Sequence, residues 1–166
     1  MDAQAYIAVV GAGVPDVDTD WIAEAVGRAL AANGAVLVCG GMTGVMEAAC
    51  RGAKAGGGTT VGILPTDDRR DANPFVDVAV ATGMGEMRNA LVVRAADAVI
   101  AIRGETGTLS EIAFALKTGT PVVGIDTWEI PGVIALTDPE EAVAEALRLA
   151  RAPRLARAPR LARRVK

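Results

Sequence analysis

Three glycine-rich turns each follow a predicted strand and precede a predicted helix. They span residues 11–13, 40–44 and 104–108. In a parallel sheet all three turns would emerge at the carboxyl edge, where open α/β sheets bind ligands. Glycine lets the backbone approach a ligand closely, and the free N–H groups that open the next helix attract an anion. We therefore expect a phosphate-bearing small molecule there, bound by Gly11, Gly13, Gly40, Gly41, Thr43, Gly44, Gly104, Thr106, Gly107 and Thr108.

Each turn alone is a weak signal. Gly11-Ala12-Gly13 lacks the third glycine of the dinucleotide-binding G-x-G-x-x-G pattern, because position 16 is aspartate. The chain also has no G-K-[S/T] sequence, which excludes a P-loop triphosphatase. For Gly11 and Gly13, a role in the tight turn alone is the favoured alternative.

Glu111 and Arg88 are the candidate catalytic side chains. A carboxylate at Glu111, early in the helix after the third turn, could reach a sugar hydroxyl or an attacking water. The structural alternative is a capping box, since Thr108-Leu109-Ser110-Glu111 has its form. Arg88 begins a helix predicted to start near the same edge, and a guanidinium can clamp a phosphate. The alternative for Arg88 is an exposed, solvated helix arginine.

Composition excludes several kinds of chemistry. The chain has no histidine, which excludes Ser-His-Asp and Cys-His catalysis and leaves acid–base work to carboxylates. With two Trp, one Tyr and two Phe, stacking of nucleic-acid bases is not expected. Cys39 and Cys50 fit no redox or zinc motif, so we expect both to be reduced. The acidic residues Asp67, Asp68 and Asp71 are interpreted as a solvated loop, and no metal site is predicted.

Short β-branched segments alternate with alanine-rich segments along the chain. This pattern predicts an α/β fold with a parallel sheet and crossover helices. Thr19 or Asp20 is expected to cap the first helix, and Asp138 the last. The predicted strands are 6–10, 35–39, 60–64, 75–80, 97–102 and 121–125, and the predicted helices are 21–32, 43–55, 84–96, 109–117 and one that follows Asp138.

Charge divides the chain into two parts. Residues 1–147 carry 9 basic and 20 acidic side chains, whereas residues 148–166 carry 8 basic and no acidic ones. We expect one domain over 1–147 and a basic, low-complexity extension over 148–166, where R-L-A-R-A-P repeats. An acidic body makes nucleic acid an unlikely partner. The longest uncharged segment, 29–46, is broken by glycines, and no secretory leader is visible, so we expect a cytoplasmic protein outside the membrane.

Two motifs resemble those of a known family. The segment 40–46, GGMTGVM, matches a GGxxGxM turn, and 107–111, GTLSE, matches the GTxxE half of a PGGxGTxxE motif. Both are typical of the LOG ("lonely guy") superfamily, which includes phosphoribohydrolases, molybdenum-cofactor carrier proteins and proteins mislabelled lysine decarboxylases. The resemblance covers roughly residues 5–147. It implies a Rossmann-like, doubly wound, mostly parallel sheet with helices on both faces, and a homodimer or higher homo-oligomer.

The resemblance also implies two functions. In its hydrolase branch, the residues at the positions of Arg88 and Glu111 look like the catalytic pair, which implies cleavage of a nucleoside 5'-monophosphate to base and ribose 5-phosphate. This chain departs from that branch, because Arg103-Gly104-Glu105 replaces Pro-Gly-Gly. Glu105 and the segment 85–89 are more similar to the carrier-type branch. We therefore expect a protein that binds a nucleoside monophosphate or a molybdopterin-type cofactor, with hydrolysis as the alternative.

Overall fold

The computed structural model describes residues 4–14 and 16–152. Seven parallel strands form one sheet in the order β4-β3-β2-β1-β5-β6-β7. The chain winds outward from β1 in both directions, so the strand order reverses between β1 and β5. The strands are β1 (Tyr6–Gly11), β2 (Val36–Cys39), β3 (Thr59–Leu64), β4 (Val78–Ala81), β5 (Ala98–Ile102), β6 (Val122–Ile125) and β7 (Val133–Leu136).

Five helices cover the two faces of the sheet. Two hydrophobic cores result: α1, α2 and α5 pack on one face, and α3 and α4 on the other. The predicted Rossmann-like α/β fold is therefore confirmed. The helices are α1 (Val17–Ala32), α2 (Val45–Ala55), α3 (Asn89–Arg94), α4 (Thr106–Thr118) and α5 (Pro139–Ala150), with short 3-10 helices at Arg69–Asp71 and Gly85–Arg88.

Helices α1 and α2 pack unusually closely because glycine lies at their contact. A Cβ atom on Gly27 would lie 1.9 Å from the carbonyl oxygen of Ala49, and one on Gly52 would lie 2.0 Å from that of Glu24. No side chain larger than hydrogen fits at either position without separating the helices. This contact fixes α2, and with it the second glycine turn, against the rest of the domain.

Several predicted boundaries differ from the structure. Helix α1 begins four residues before Trp21, because its N-cap is Asp16 and not Thr19 or Asp20. The carboxylate of Asp16 accepts a hydrogen bond from the N–H of Thr19 at 3.3 Å. The predicted helix 84–96 is a 3-10 turn followed by the six residues of α3, since Gly85 has a φ of +56°. The predicted strands do not include β7. Asp138 caps α5 as predicted, accepting the N–H of Glu141 at 2.9 Å.

The C-terminal helix crosses the predicted domain boundary. Helix α5 continues to Ala150, and both Leu147 and Ala150 are buried against the sheet. The rest of the predicted basic extension, residues 153–166, lies outside the described residues. Over the described ranges, no helix is both long and apolar enough to cross a bilayer.

Candidate functional site

A cleft of about 290 Å³ opens at the carboxyl edge of the sheet, where the strand order reverses between β1 and β5. Parts of all three glycine turns reach it, so the convergence expected of a parallel sheet occurs. Of the twelve predicted site residues, eight line the cleft. These are Gly11, Gly13, Gly40, Arg88, Thr106, Gly107, Thr108 and Glu111.

The first turn of α4 forms one wall of the cleft. The helix begins at Thr106. The N–H of Leu109 donates to the carbonyl oxygen of Glu105, the residue before the helix, at 3.0 Å. Among the described residues, the N–H groups of Gly107 and Thr108 have no acceptor. Free N–H groups at a helix start, reinforced by the helix dipole, are a physical basis for binding an anion.

The capping-box interpretation of Thr108 and Glu111 is wrong. Glu105 occupies the N-cap position, so Glu111 lies in the second turn of α4, too far along to cap it. Thr108 and Glu111 are instead both buried, and no hydrogen bond joins the two in this part of the structure. The carboxyl group of Glu111 is left facing the cleft.

Burial governs the protonation of Glu111. Only 7% of the residue is exposed, and loss of hydration raises the pKa of its carboxyl to about 7, although the positive charge of Arg88 opposes the rise. A carboxyl group that titrates near neutral pH can both accept and donate a proton. Glu111 therefore has the properties of a general acid or base.

Arg88 is buried, which excludes the solvated alternative. It is 8% exposed, and its Nη2 donates to the carbonyl oxygen of Gly40 at 3.3 Å while its Nη1 donates to Asn89 Oδ1. Its Nε is buried without an acceptor among the described residues. Burial lowers the pKa of Arg88, and the nearby charge of Glu111 opposes that shift. Arg88 lines the cleft, and each of its Nη groups has a second hydrogen that can be donated to an anion there.

Gly40 leaves room for Arg88, which lies against it. A Cβ atom on Gly40 would lie 2.5 Å from Nη2 of Arg88 and 2.7 Å from Sδ of Met46. Any side chain there would push the guanidinium out of its position. The glycine turn after β2 therefore shapes the cleft by admitting Arg88.

The other four predicted ligand-binding residues are not among those that line the cleft. Gly41 packs against Leu64 on β3, and the hydroxyl of Thr43 donates to the carbonyl of Gly13 at 2.8 Å. Gly44 lies against the backbone of Gly13, and Gly104 lies against Thr108. In this structure Gly41, Thr43, Gly44 and Gly104 hold the turns in place and do not line the cleft.

Arg103 does not line the cleft, although it lies beside the third glycine turn. Its Nη1 donates to Asp16 at 2.7 Å and to Thr19 at 2.8 Å, and its Nε donates to Asp126 at 3.0 Å. Its φ is +46°, so these bonds hold a non-glycine residue in the left-handed region. Arg103 ties the end of β5 to α1 and to the loop after β6.

Sequence reasoning overlooked several lining residues, including Glu86 and Asn89, which flank Arg88. Asn89 is the more important of the two, because its Oδ1 accepts a hydrogen bond from Arg88. Its position next to Arg88 in the sequence could have identified it. Of the described residues that line the cleft, the charged ones are the cation Arg88 and the carboxylates Glu86, Glu105 and Glu111. An anionic group must therefore be bound mainly by backbone N–H groups and Arg88. Within 4–14 and 16–152, no three His, Cys, Asp or Glu side chains gather as a metal site would require.

Comparisons with known proteins agree with this fold. A protein from Archaeoglobus fulgidus with no described function is 46% identical over 139 residues, covering 82% of this chain and 91% of its own. The structure of the molybdenum cofactor binding protein from Rippkaea orientalis superposes with a TM-score of 0.81 and 33% identity, over 89% of this chain and 98% of that one.

A further relative is an enzyme. The cytokinin riboside 5'-monophosphate phosphoribohydrolase of Mycobacterium tuberculosis is 34% identical over 116 residues, which are 64% of this chain and 62% of that protein. The sequence model of the SLOG cluster4 family matches residues 4–153. The chain therefore belongs to the SLOG cluster4 family, within the superfamily of LOG proteins and molybdenum-cofactor carriers.

Proposed function

We propose that this protein binds a small molecule with one phosphate group, of the nucleoside-monophosphate or molybdopterin type, in the cleft at the carboxyl edge of the sheet. The observation that carries the proposal is the arrangement of free N–H groups at Gly107 and Thr108 beside the same cleft as the buried Arg88. These groups supply the donors that a phosphate needs. The similarity to the Rippkaea orientalis cofactor-binding protein supports the same assignment.

The charge of the cleft favours a ligand with a single phosphate. Beyond Arg88 the charged lining groups are carboxylates, and Glu86 and Glu105 are exposed. Each further phosphate would add negative charge near these carboxylates and increase the repulsion. A ligand with one phosphate and an uncharged ring keeps that repulsion smallest. If the ligand is a molybdenum cofactor, Arg88 and the amides of α4 would hold its phosphate, and the cofactor would be cargo.

A second function is favoured by Glu111. Hydrolysis of an N-glycosidic bond proceeds through an oxocarbenium-like transition state, which a nearby carboxylate stabilises. Glu111, with its raised pKa, could also deprotonate the attacking water, while Arg88 holds the phosphate and fixes the sugar. Water would replace the base on the sugar, and the products would be a free base and ribose 5-phosphate. The similarity to the Mycobacterium tuberculosis enzyme supports this alternative.

Two measurements separate these functions. Differential scanning fluorimetry with AMP, GMP and inorganic phosphate tests binding, because a ligand that prefers the folded state raises the melting temperature. Incubation with AMP followed by chromatography for adenine tests hydrolysis. Adenine released in proportion to protein, and lost in Glu111→Gln, would establish the hydrolase and contradict a carrier. A melting temperature that rises without adenine release supports the binding function.

We also infer that the protein forms a homodimer or higher homo-oligomer. Next to the cleft, Met87 is 74% exposed and Leu91 is 38% exposed. Met87 lies in the 3-10 helix and Leu91 in α3, which follows it directly. Large exposed apolar side chains close to each other favour burial against another protein surface. Size-exclusion chromatography with light scattering measures the mass directly, and a monomer mass of 16.9 kDa at micromolar concentration would contradict this inference.

A further inference from the structure

Two cysteines lie together directly beneath the cleft. The Sγ atoms of Cys39 and Cys50 are 3.5 Å apart, and both residues are fully buried free thiols. A disulfide has an S–S distance of about 2.05 Å, so the two sulfurs need to approach by roughly 1.5 Å. Neither thiol has a part in the proposed function.

Cys39 is connected to the cleft through the next two residues. It is the last residue of β2, and Gly40, which follows, lines the cleft and accepts a hydrogen bond from Arg88. The N–H of Gly41 donates to the sulfur of Cys39 at 3.3 Å. A displacement of the Cys39 sulfur therefore acts on the turn that positions Arg88.

The far side of this turn is fixed. The backbone N–H of Asn73 donates to the carbonyl of Gly41 at 2.9 Å, and its side-chain amide donates to that of Met42 at 2.9 Å. Movement of Cys39 must therefore be absorbed at Gly40 and Gly41. Glycine is the residue best able to absorb such a change in backbone angles.

The two thiols differ in reactivity. The hydrogen bond shared with Cys50, the N–H of Gly41 and the charge of Arg88 lower the pKa of Cys39, although burial opposes the shift. The same Cys39–Cys50 hydrogen bond and burial raise the pKa of Cys50. Cys39 is therefore the thiol that forms the nucleophilic thiolate, and Cys50 is placed to resolve an oxidised Cys39.

We propose that Cys39 and Cys50 form a redox modification site, in which a peroxide converts the pair to a reversible disulfide that shifts the Gly40–Gly41 turn and Arg88 and weakens ligand binding in the cleft. The ligand-binding part of this inference rests on the proposed function. The formation of the disulfide and the shift of the turn do not.

The chemistry balances with hydrogen peroxide as the oxidant. When a local opening of the fold admits peroxide to the buried sulfur, the Cys39 thiolate attacks one peroxide oxygen, the O–O bond breaks, and hydroxide leaves as Cys39 becomes a sulfenic acid. The sulfur of Cys50 then attacks that of Cys39, the S–O bond breaks, and a second hydroxide leaves. The two thiol protons convert the hydroxides to water. Two thiols are oxidised, and one peroxide is reduced to two waters.

The first test is the mass of the full-length protein after peroxide treatment. We expect a loss of about 2 Da, disappearance of both alkylatable thiols together and recovery of both with dithiothreitol. The loss of about 2 Da corresponds to two hydrogens, and Cys39→Ala and Cys50→Ala should each abolish it. Reduction of oxidised wild-type protein is a control that needs no variant. Stepwise gain of oxygen without a disulfide would overturn the proposal.

The second test asks whether the disulfide changes the cleft. Hydrogen–deuterium exchange of reduced, oxidised and re-reduced protein should show faster exchange in peptides covering 40–44 and 85–91 only in the oxidised form. Titration with AMP should show about tenfold weaker binding after oxidation, as expected when a charged hydrogen-bond donor is misplaced. A disulfide that changes neither exchange nor affinity would overturn the coupling. If reduced protein does not bind AMP, the proposed binding of this nucleotide fails, and the exchange data still decide the redox site.

Discussion

Arg88 and Glu111 line the same cleft with less than a tenth of each residue exposed, yet no hydrogen bond or ion pair of the described residues joins them. Each shifts the other's pKa through its charge, and burial works against the charged form of both. Two buried, incompletely partnered charged groups reduce stability unless a third group completes their interactions. We interpret the pair as a site that a phosphate-bearing ligand completes.

Glu111→Gln should change how stability depends on pH. The folded-state pKa of Glu111 is about 7, above its ordinary value of 4.5. Between these values the folded protein binds more protons than the unfolded chain, so this residue's contribution to stability is complete below pH 4.5 and falls as the pH rises toward 7. As the pH rises through this range, the free energy of unfolding of the glutamine variant should increase relative to wild type by on the order of 3 kcal/mol. Urea unfolding at several pH values measures it, with exposed Glu105→Gln as the control.

Arg88→Met should weaken binding and also lower stability. Removal of the guanidinium takes away a charged donor, so the affinity for AMP should fall about tenfold or more. Methionine also leaves the acceptors of Gly40 and Asn89 unpaired and removes the positive charge beside the buried Glu111, so the melting temperature without ligand should fall as well. Arg69→Met, at an exposed arginine outside the cleft, is the matched control. Equal AMP affinity in both variants would show that Arg88 does not contact the phosphate.

Substitutions of Arg103 should separate backbone strain from ion pairing. Both Arg103→Ala and Arg103→Gly remove the bonds to Asp16, Thr19 and Asp126. Only glycine relieves the positive φ, so the glycine variant should be more stable than the alanine variant by about 1 kcal/mol. Chemical denaturation of the two variants gives this difference directly. An alanine variant as stable as the glycine variant would mean that the backbone there relaxes.

Gly27→Ala should destabilise the domain at the contact of α1 and α2. The added methyl group would overlap the carbonyl of Ala49, and overpacking of this kind costs about 1–3 kcal/mol. Gly13→Ala is the control, since a Cβ atom at Gly13 meets nothing within 4 Å. Thermal unfolding followed by circular dichroism should show a lower melting temperature for the first variant alone.

The fold was largely predictable from sequence because its signals are local. Buried parallel strands read as short apolar runs, and glycine turns and Asp138 mark where elements start and stop. The errors arose where contacts distant in sequence decide the local structure. Asp16 caps α1 and is also held by Arg103, which is 87 residues away along the chain. The edge strand β7 is short and half exposed, so its pattern was too weak to identify.

The candidate site was predictable in kind but not in detail. Motif spacing placed Arg88 and Glu111 near one edge, and the parallel sheet brought them into one cleft. The sequence alone could not show that Glu111 lies too far along α4 to cap the start of that helix, because this depends on α4 starting at Thr106. The direction of the Arg103 side chain depends on Asp126, a partner in a different loop.

The central claim is that backbone N–H groups of separate turns bind one anionic group. Titration of 15N-labelled protein with AMP, followed by amide chemical shifts, tests it most directly. We expect the largest shifts at Gly107 and Thr108, accompanied by shifts at Gly13 and Gly40 that saturate with the same dissociation constant. Saturating shifts elsewhere, with the amides of Gly107 and Thr108 unchanged, would contradict the account.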